Sequence, residues 1–401
     1  MHDAEVIIVG GGPVGATLAG LLGQHGIDCI VIEAGKPGPA PLDDSADPRA
    51  LALTQASRRI LTDFNAWKGL PQDRLGYFRH MHVWDENGNG EIRFDCEELC
   101  ESSLGYIVEQ PVLQETLFRV LDYIPTVSVH RGDKPTEIHW GSDAITVRLN
   151  ERQLRGKLLV AADGIHSGVR ELAGIGYAVQ DYRQTAVACV VRTELPHGET
   201  ARQCFLSDGP LAFLPMADPH QCGIVWSTSP EYAEELLAMD SERFNRALKA
   251  AFDSTLGEIP ESGKRVGFPL QRAQAECYCK DRIALVGDAA HSVHPLAGQG
   301  VNLGLLDAAS LAQVLMEARK KNRDIGMMRD LRRYERWRKG ENRLMMMVFE
   351  GFKYLFENQT VPVPLIRNMG LNIVDRNSLI KQFIMRRAMG LEGDLPLAAR
   401  A

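Results

Sequence analysis

Two glycine-containing motifs, about 270 residues apart, carry the residue types from which a nucleotide site is built. The first is Gly10-Gly11-Gly12-Pro13-Val14-Gly15; the second opens on Gly287-Asp288 and closes on Gly298-Gln299-Gly300-Val301-Asn302. In the first, Gly10 permits a tight turn, Gly12 lets backbone N–H groups approach a pyrophosphate, and Gly15 lets helix and strand pack closely. Glu33, 18 residues after Gly15, is an acid where ribose hydroxyls of an adenosine half would donate, and it disfavours a 2′-phosphate. In the second, Gly298 and Gly300 allow close backbone approach, Asn302 offers an amide, and Asp288 has a local use as a helix N-cap. Sites so far apart in the chain must close on one large cofactor.

The elements that position the first motif are legible. Glu5 to Val9 is an apolar run of strand length, Ala16 to Gln24 has helical periodicity, and Ile27 to Ile32 is a second strand ending in Glu33. Together they predict a βαβ unit whose helix N-terminus faces the phosphates. A polar, Pro-rich connection from Lys36 to Pro48 leads to Arg49 and a helix-like segment, Leu51 to Phe64. Strands are expected at His80 to Trp84 and Glu91 to Phe94, a helix with a Leu113, Leu117, Val120, Leu121 stripe after Gln110, and a meander from Val127 to Val147. Leu158 to Ala162 reads as a short buried strand ending in Asp163-Gly164, with Ser167 and Arg170 close behind. Val187 to Arg192, Leu211 to Pro215 and Cys222 to Ser227 read as strands of a second, mixed unit; Ile283 to Val286 returns to a buried strand, and helices follow. The order predicts an α/β fold of interleaved parts: a nucleotide-binding domain from 1–75, 100–180 and 275–345, a substrate domain from 76–99 and 181–274, and a helical segment from 346–401.

Composition narrows the function class. With 401 residues, 45% of them hydrophobic, the chain can bury a large core, and no run approaches a membrane span. The βαβ unit starts at residue 4 and leaves no room for a signal peptide, which predicts a cytoplasmic protein. Eight scattered cysteines form no CxxC pair, so neither a metal site nor a disulfide framework is expected. Charge is uneven: Arg319 to the end holds 18 Lys or Arg against 9 Asp or Glu, in a chain of net charge −7. A basic end of this kind is either a solvated helix face or a surface for an acidic partner or anionic lipid. The acidic chain as a whole argues against nucleic acid.

The succession of these motifs resembles the FAD-dependent aromatic hydroxylases, the class A flavoprotein monooxygenases. Ala162-Asp163-Gly164-Ile165-His166-Ser167-Gly168-Val169-Arg170 is similar to that family's mid-chain motif, ADGxxSxVR, implicated in FAD and NAD(P)H binding, and Gly287-Asp288 is similar to its second FAD motif. The resemblance implies a Rossmann-like FAD domain interleaved with a mixed β-sheet substrate domain. It further implies that Asp288 holds the ribityl chain, that the helix start at Gly298 to Asn302 faces the isoalloxazine, that Pro295 and Gly298 lie near flavin and substrate, that Arg49 reaches the flavin and pyrophosphate, and that Gln110 covers the cofactor. His291 reads as structural, since a helix start supplies the electrostatics without an acid or base. No catalytic side chain is assigned. Asp288-Ala289-Ala290-His291, Pro295 to Gly304, Gly105 to Glu109 and Leu211 to Pro215 resemble most the ubiquinone-biosynthesis hydroxylases of the UbiH/UbiF/VisC type, and Ala201 to Phe205, Asp218 to His220 and Ile224 to Ser227 the branch acting at C5.

That resemblance implies that NAD(P)H reduces FAD, that O₂ adds to give a C4a-hydroperoxide, and that a polyprenyl phenol ring is hydroxylated. Phe205, Phe213, Leu214 and Trp226 could wall an apolar substrate or simply pack a core. The basic end, Leu344 to Phe356 and Val361 to Leu391, would dock on the inner membrane or on a partner of a biosynthetic complex, or pack back on the protein. Rival readings are another aromatic hydroxylase of a soluble phenol, a flavoprotein oxidase or prenyl reductase, and a non-catalytic FAD-binding scaffold. A nicotinamide dehydrogenase leaves the late motif without a purpose.

Overall fold

A computed structural model describes residues 3–35, 47–86, 88, 90–150, 152–293, 298–357 and 363–400. Its framework is a parallel sheet in the order Ile283–Leu285, Gln153–Ala161, Ala4–Val9, Cys29–Glu33, Val127–Arg131, with Cys279–Lys280 antiparallel at one end. The continuous burial of Val6 to Val9 and Leu158 to Ala161 is what a parallel sheet covered on both faces requires. Helix α1 (Pro13–Gly23) follows the first strand. The meander expected over Val127 to Val147 is corrected in one respect: Val127–Arg131 pairs in parallel with Cys29–Glu33, and only Glu137–Trp140 and Ile145–Arg148 form an antiparallel extension of Gln153–Ala161.

The helix expected over Leu51 to Phe64 is two elements. Ala50–Leu53 is a strand, and Thr54, whose hydroxyl accepts from Ser57 N at 3.2 Å, caps α2 (Gln55–Asp63). The small sheet containing Ala50–Leu53 is completed by Gly105–Glu109, which runs directly into α3 (Gln110–Leu121), and by Leu75–Phe78. After Gln153–Ala161 comes the short α4 (Gly168–Leu172).

A nine-stranded mixed sheet holds the central strands Tyr177–Arg192, Gln221–Thr228, Gly209–Pro215 and Thr200–Leu206, then His80–Asp85 and Glu91–Asp95 at one edge. Its two faces differ by the period-2 alternation of strands. Val187, Cys189, Leu211, Phe213, Ile224 and Trp226 pack on α5 (Pro230–Ala238) and α6 (Ser241–Ala251). The opposite face meets the rest of the molecule, where Phe205 joins Val83, Ile92, Val293, Leu303 and Met346 in an apolar cluster.

The C-terminal part is helical: α7 (Gln299–Lys320), α8 (Met328–Glu357), α9 (Val363–Arg376) and α10 (Ser378–Ala388). Helix α9 lies along the edge strand Glu91–Asp95. Oδ1 of Asn368, Asn372 and Asp375 accept from the backbone N–H of Gly90, Glu91 and Arg93 at 2.9, 3.4 and 3.0 Å. Among the described residues, no helix is long and apolar enough to cross a membrane.

Candidate cofactor site

The three motifs meet. Gly10 has φ +105°, and a Cβ there would lie 2.2 Å from the Ala162 carbonyl oxygen, so the first motif abuts the mid-chain motif through backbone alone. Val14 packs on the later motif: it is what a Cβ on Gly287 or Gly304 would meet first, at 3.3 and 2.6 Å. The triangle closes through Arg170, whose Nη1 donates to Ala289 O at 3.1 Å, and Tyr177, whose hydroxyl donates to Asp288 O at 2.9 Å. Arg170 is buried, and its guanidinium lies 3.5 Å from the Tyr177 ring centroid.

Inside this triangle the protein leaves room. A Cβ on Gly12 or Gly164 would meet nothing within 4 Å, whereas one on Gly15 would lie 2.0 Å from Gly10 O. Gly15 therefore serves packing, and Gly12 and Gly164 border open space. Gly12 is the N-cap of α1 and Gly298 that of α7, and neither helix has a side-chain cap or an acid in its first turn. Both leave first-turn N–H groups available to an anion or a polarised carbonyl. Gln299, Gly300 and Val301 form the first turn of α7 and are partly exposed. Asp288 keeps solvent-accessible surface although burial within the protein raises its carboxyl above the ordinary value, with Asp307 adding to the rise and His291 opposing it. A group that is both accessible and desolvated lines a cleft. These features fit an extended dinucleotide carrying a flavin.

Glu33 accepts from Gly11 N at 2.6 Å and from Gly35 N at 2.8 Å, so its carboxylate fixes the glycine loop and keeps further lone pairs for hydroxyl donors. Asp163 accepts from the Ser167 hydroxyl at 2.5 Å and Val169 N at 3.2 Å; burial still raises its carboxyl. Arg49 pairs through Nε and Nη2 with Asp47, both at 3.0 Å, and its carbonyl accepts from Gln110 N. Gln110 begins α3 beside this pair, at the end of the strand whose buried Glu109 is held by Arg74 through Nε at 2.7 Å and Nη2 at 2.8 Å. Pro295 lies outside the described residues. Gly298, at φ +63°, sits with its α-carbon against Ala52.

Three expectations are corrected. The amide contact with a flavin ring expected of Asn302 gives way to a positioning role. Its Oδ1 accepts from Thr54 N and the Ser57 hydroxyl at 3.0 and 2.6 Å, and its Nδ2 donates to Ala52 O and Gly298 O at 2.8 and 3.1 Å. All four bonding positions of the amide are used. Asp288 does not cap a helix: it sits inside a short 3₁₀ turn, Gly287–Ala289, and α7 begins only at Gln299. Phe213 and Trp226 do not wall this site, because they point to the other face of the nine-stranded sheet, where Phe213 stacks on Phe252 at 3.7 Å between centroids. Phe205 and Leu214 face the opposite way, Leu214 against Ala50 and Ala52.

Residues that pattern reading missed stand behind the late motif. Asp307 is fully buried; its Oδ2 accepts from Gly287 N at 3.1 Å and meets His291 Nε2 at 2.5 Å, and its Oδ1 accepts from Arg338 Nε and Asn342 Nδ2 at 2.8 and 3.0 Å. Burial alone would raise this carboxyl, but His291 and Arg338 bring it down to about 2. An ionised carboxylate only accepts, so the proton of that short contact belongs to His291 Nε2. The signal was an aspartate inside the apolar run Leu305-Leu306-Asp307-Ala308-Ala309. Gln114 was also missed; its Nε2 donates to Gly11 O at 3.1 Å.

Comparison with known proteins agrees with this geometry. A family model described as an FAD binding domain matches residues 3–340. The chain is 35% identical over 391 residues to the 3-demethoxyubiquinol 3-hydroxylase of Escherichia coli (strain K12), covering 97% of this chain and 99% of that protein. It is 34% identical over 430 residues to the mitochondrial ubiquinone biosynthesis monooxygenase COQ6 of Homo sapiens, covering 95% and 91%. The fold is similar to that of the p-nitrophenol 4-monooxygenase PnpA from Pseudomonas putida DLL-E4, with a TM-score of 0.80, 21% identity and coverage of 98% and 100%.

Proposed function

The chain belongs to the FAD-dependent aromatic monooxygenases, and from that premise we propose that it hydroxylates the ring of a polyprenyl phenol in ubiquinone biosynthesis. The observation that carries this reading is the closure of the three motifs around the open faces of Gly12, Gly164 and Asp288, with the apolar cluster of Phe205, Val293 and Leu303 next to the start of α7. Bound FAD, reduced by NAD(P)H, supplies activated oxygen. The protein's own part is to bind, orient and exclude water. Gly10, Gly12, Pro13, Val14 and Gly15 admit the pyrophosphate to the α1 N-terminus; Glu33 takes the adenosine ribose; Asp163, Gly164 and Asp288 border the ribityl chain. Gly298 to Val301 direct N–H groups at the ring, and Arg49 and Gln110 close over it. No side chain is assigned to move a proton.

The ring position has two readings. Resemblance of Ala201 to Phe205 and Ile224 to Ser227 to one branch favours C5, whereas the name of the Escherichia coli relative gives position 3. Purified protein, NADPH and a polyprenyl demethoxyphenol should yield a product heavier by one oxygen, and fragmentation of its ring would assign the position. Peroxide without hydroxylated product would favour an oxidase; FAD binding without substrate-stimulated NAD(P)H oxidation would favour a scaffold.

The lipid substrate accords with a peripheral site on the inner membrane reached from the cytoplasm. Met347, Val348 and Tyr354 of α8, Met369 and Ile373 of α9, and Leu379, Ile380 and Phe383 of α10 are exposed, with Arg343, Arg376 and Arg386 among them. Apolar side chains interspersed with arginines suit an anionic lipid surface. Flotation with anionic vesicles at low salt tests this; retention in the lower fractions removes it.

A further inference from the structure

A cavity of about 320 Å³ opens between the strands His80–Asp85 and Glu91–Asp95, the strand Thr200–Leu206 and α10. It shares no lining residue with the three motifs. Most of its charges are matched. Lys381 Nζ lies 2.7 Å from Glu98, His80 Nδ1 lies 3.3 Å from Asp95, and His82 and Arg93 share Glu91 at 2.8 and 3.1 Å.

Arg202 is the exception. Its Nη1 donates to the carbonyls of His197 and Thr200 at 2.7 and 3.2 Å, and among the described residues nothing meets Nε or Nη2. Those two donors form one edge of the guanidinium, the same fork with which Arg74 holds Glu109 and Arg49 holds Asp47. The strand places it half-buried in the cavity wall, where burial and the nearby Arg93 lower its affinity for its proton. A half-buried guanidinium edge that no protein acceptor meets has a bidentate oxyanion as its natural complement.

We propose that this cavity binds a phosphate ester, with the Nε and Nη2 fork of Arg202 on two of its oxygens. With Lys381 on Glu98 and Asp375 and Arg93 on Glu91, Arg202 is the arginine or lysine of the cavity wall that no carboxylate pairs with among the described residues. A phospholipid headgroup is the source that the surroundings favour, because Leu379, Ile380 and Phe383 flank Lys381 in α10 and are 79%, 44% and 55% exposed. The phosphates of the nicotinamide nucleotide offer the same chemistry. The phospholipid source is independent of the hydroxylase reading, whereas the nucleotide source rests on it.

The test uses full-length, FAD-loaded protein with vesicles of phosphatidylglycerol and phosphatidylcholine, at constant ionic strength, and in parallel the KM for NADPH. Arg202→Gln should weaken vesicle binding about ten-fold, as loss of a charge-assisted bidentate contact predicts. Arg246→Gln, at an exposed arginine of α6 on the other face of the nine-stranded sheet, should change it less than about two-fold. Thr200→Glu, which sets a carboxylate beside the fork, should reproduce the loss with Arg202 intact, so a folding defect in one variant does not decide the matter. A rise of about ten-fold in the KM for NADPH in both cavity variants, with vesicle binding unchanged, assigns the site to the nucleotide's phosphate. Equal vesicle losses in Arg202→Gln and Arg246→Gln, or no change in either measurement, overturn the proposal.

Discussion

Asp288 and Asp307 stand on opposite sides of one loop and do opposite things. Asp307, behind it, is sealed from solvent, accepts four hydrogen bonds and is held ionised by Arg338 and His291. Asp288, in front, keeps accessible surface and has its carboxyl raised. The difference teaches how to sort buried charges. A carboxylate whose lone pairs are all taken by the chain is a structural part, and one left short of partners at the lip of a cleft is the one we propose for the cofactor.

The largest expected effect comes from removing the sealed member. Asp307→Asn leaves Arg338 buried without a counter-charge and should lower unfolding free energy by about 3–5 kcal/mol in urea titrations; a loss under about 1 kcal/mol would end the comparison. Asn302→Ala leaves the buried Thr54 N–H and Ser57 hydroxyl without their acceptor, and about 2–3 kcal/mol is expected by the same measurement. Asp288→Ala should do the reverse of Asp307→Asn. Apoprotein stability should move by no more than about 0.5 kcal/mol, while FAD dissociation, followed by flavin fluorescence, should weaken about ten-fold. Loss of stability without loss of FAD affinity would show Asp288 to be structural too.

The smallest effect is in pH dependence, where the two acids differ in sign. The folded carboxyl of Asp307 is depressed from 3.8 to about 2, so its contribution is present above the ordinary carboxylate range and disappears as pH falls from about 4 towards 2. The folded carboxyl of Asp288 is raised, so its contribution is present at low pH and is lost as pH rises through the folded value. Acid titration of stability should therefore flatten in Asp307→Asn, and Asp288→Asn should gain slightly at neutral pH.

Much of this site could be read from the chain because dinucleotide binding constrains backbone. Gly10, Gly12 and Gly15 are fixed by turn geometry and close approach, and their spacing survives as a word in the sequence. Side chains that act across the fold leave no such word. Arg338 and Asn342 reach Asp307 from 31 and 35 residues away on another helix, and nothing local marks them as its partners. Strand alternation separates Phe205 from Phe213, yet period 2 does not say which face of a sheet meets the cofactor. The boundary at Thr54 rests on its hydroxyl meeting Ser57 N, which periodicity does not mark, while Leu51 and Leu53 continue the apolar pattern of the helix into the strand.

The contacts that α9 makes with the strand Glu91–Asp95 bear on how the C-terminal helices can be studied. Asn368, Asn372 and Asp375 stand in for the strand that would otherwise pair there, so the helix works as a stopper on an open hydrogen-bonding rim. Deleting the helices to ask whether they bind lipid would uncover that rim and invite chains to add to one another edge to edge. A truncated protein that pellets would be reporting self-association, and single surface substitutions are the cleaner instrument.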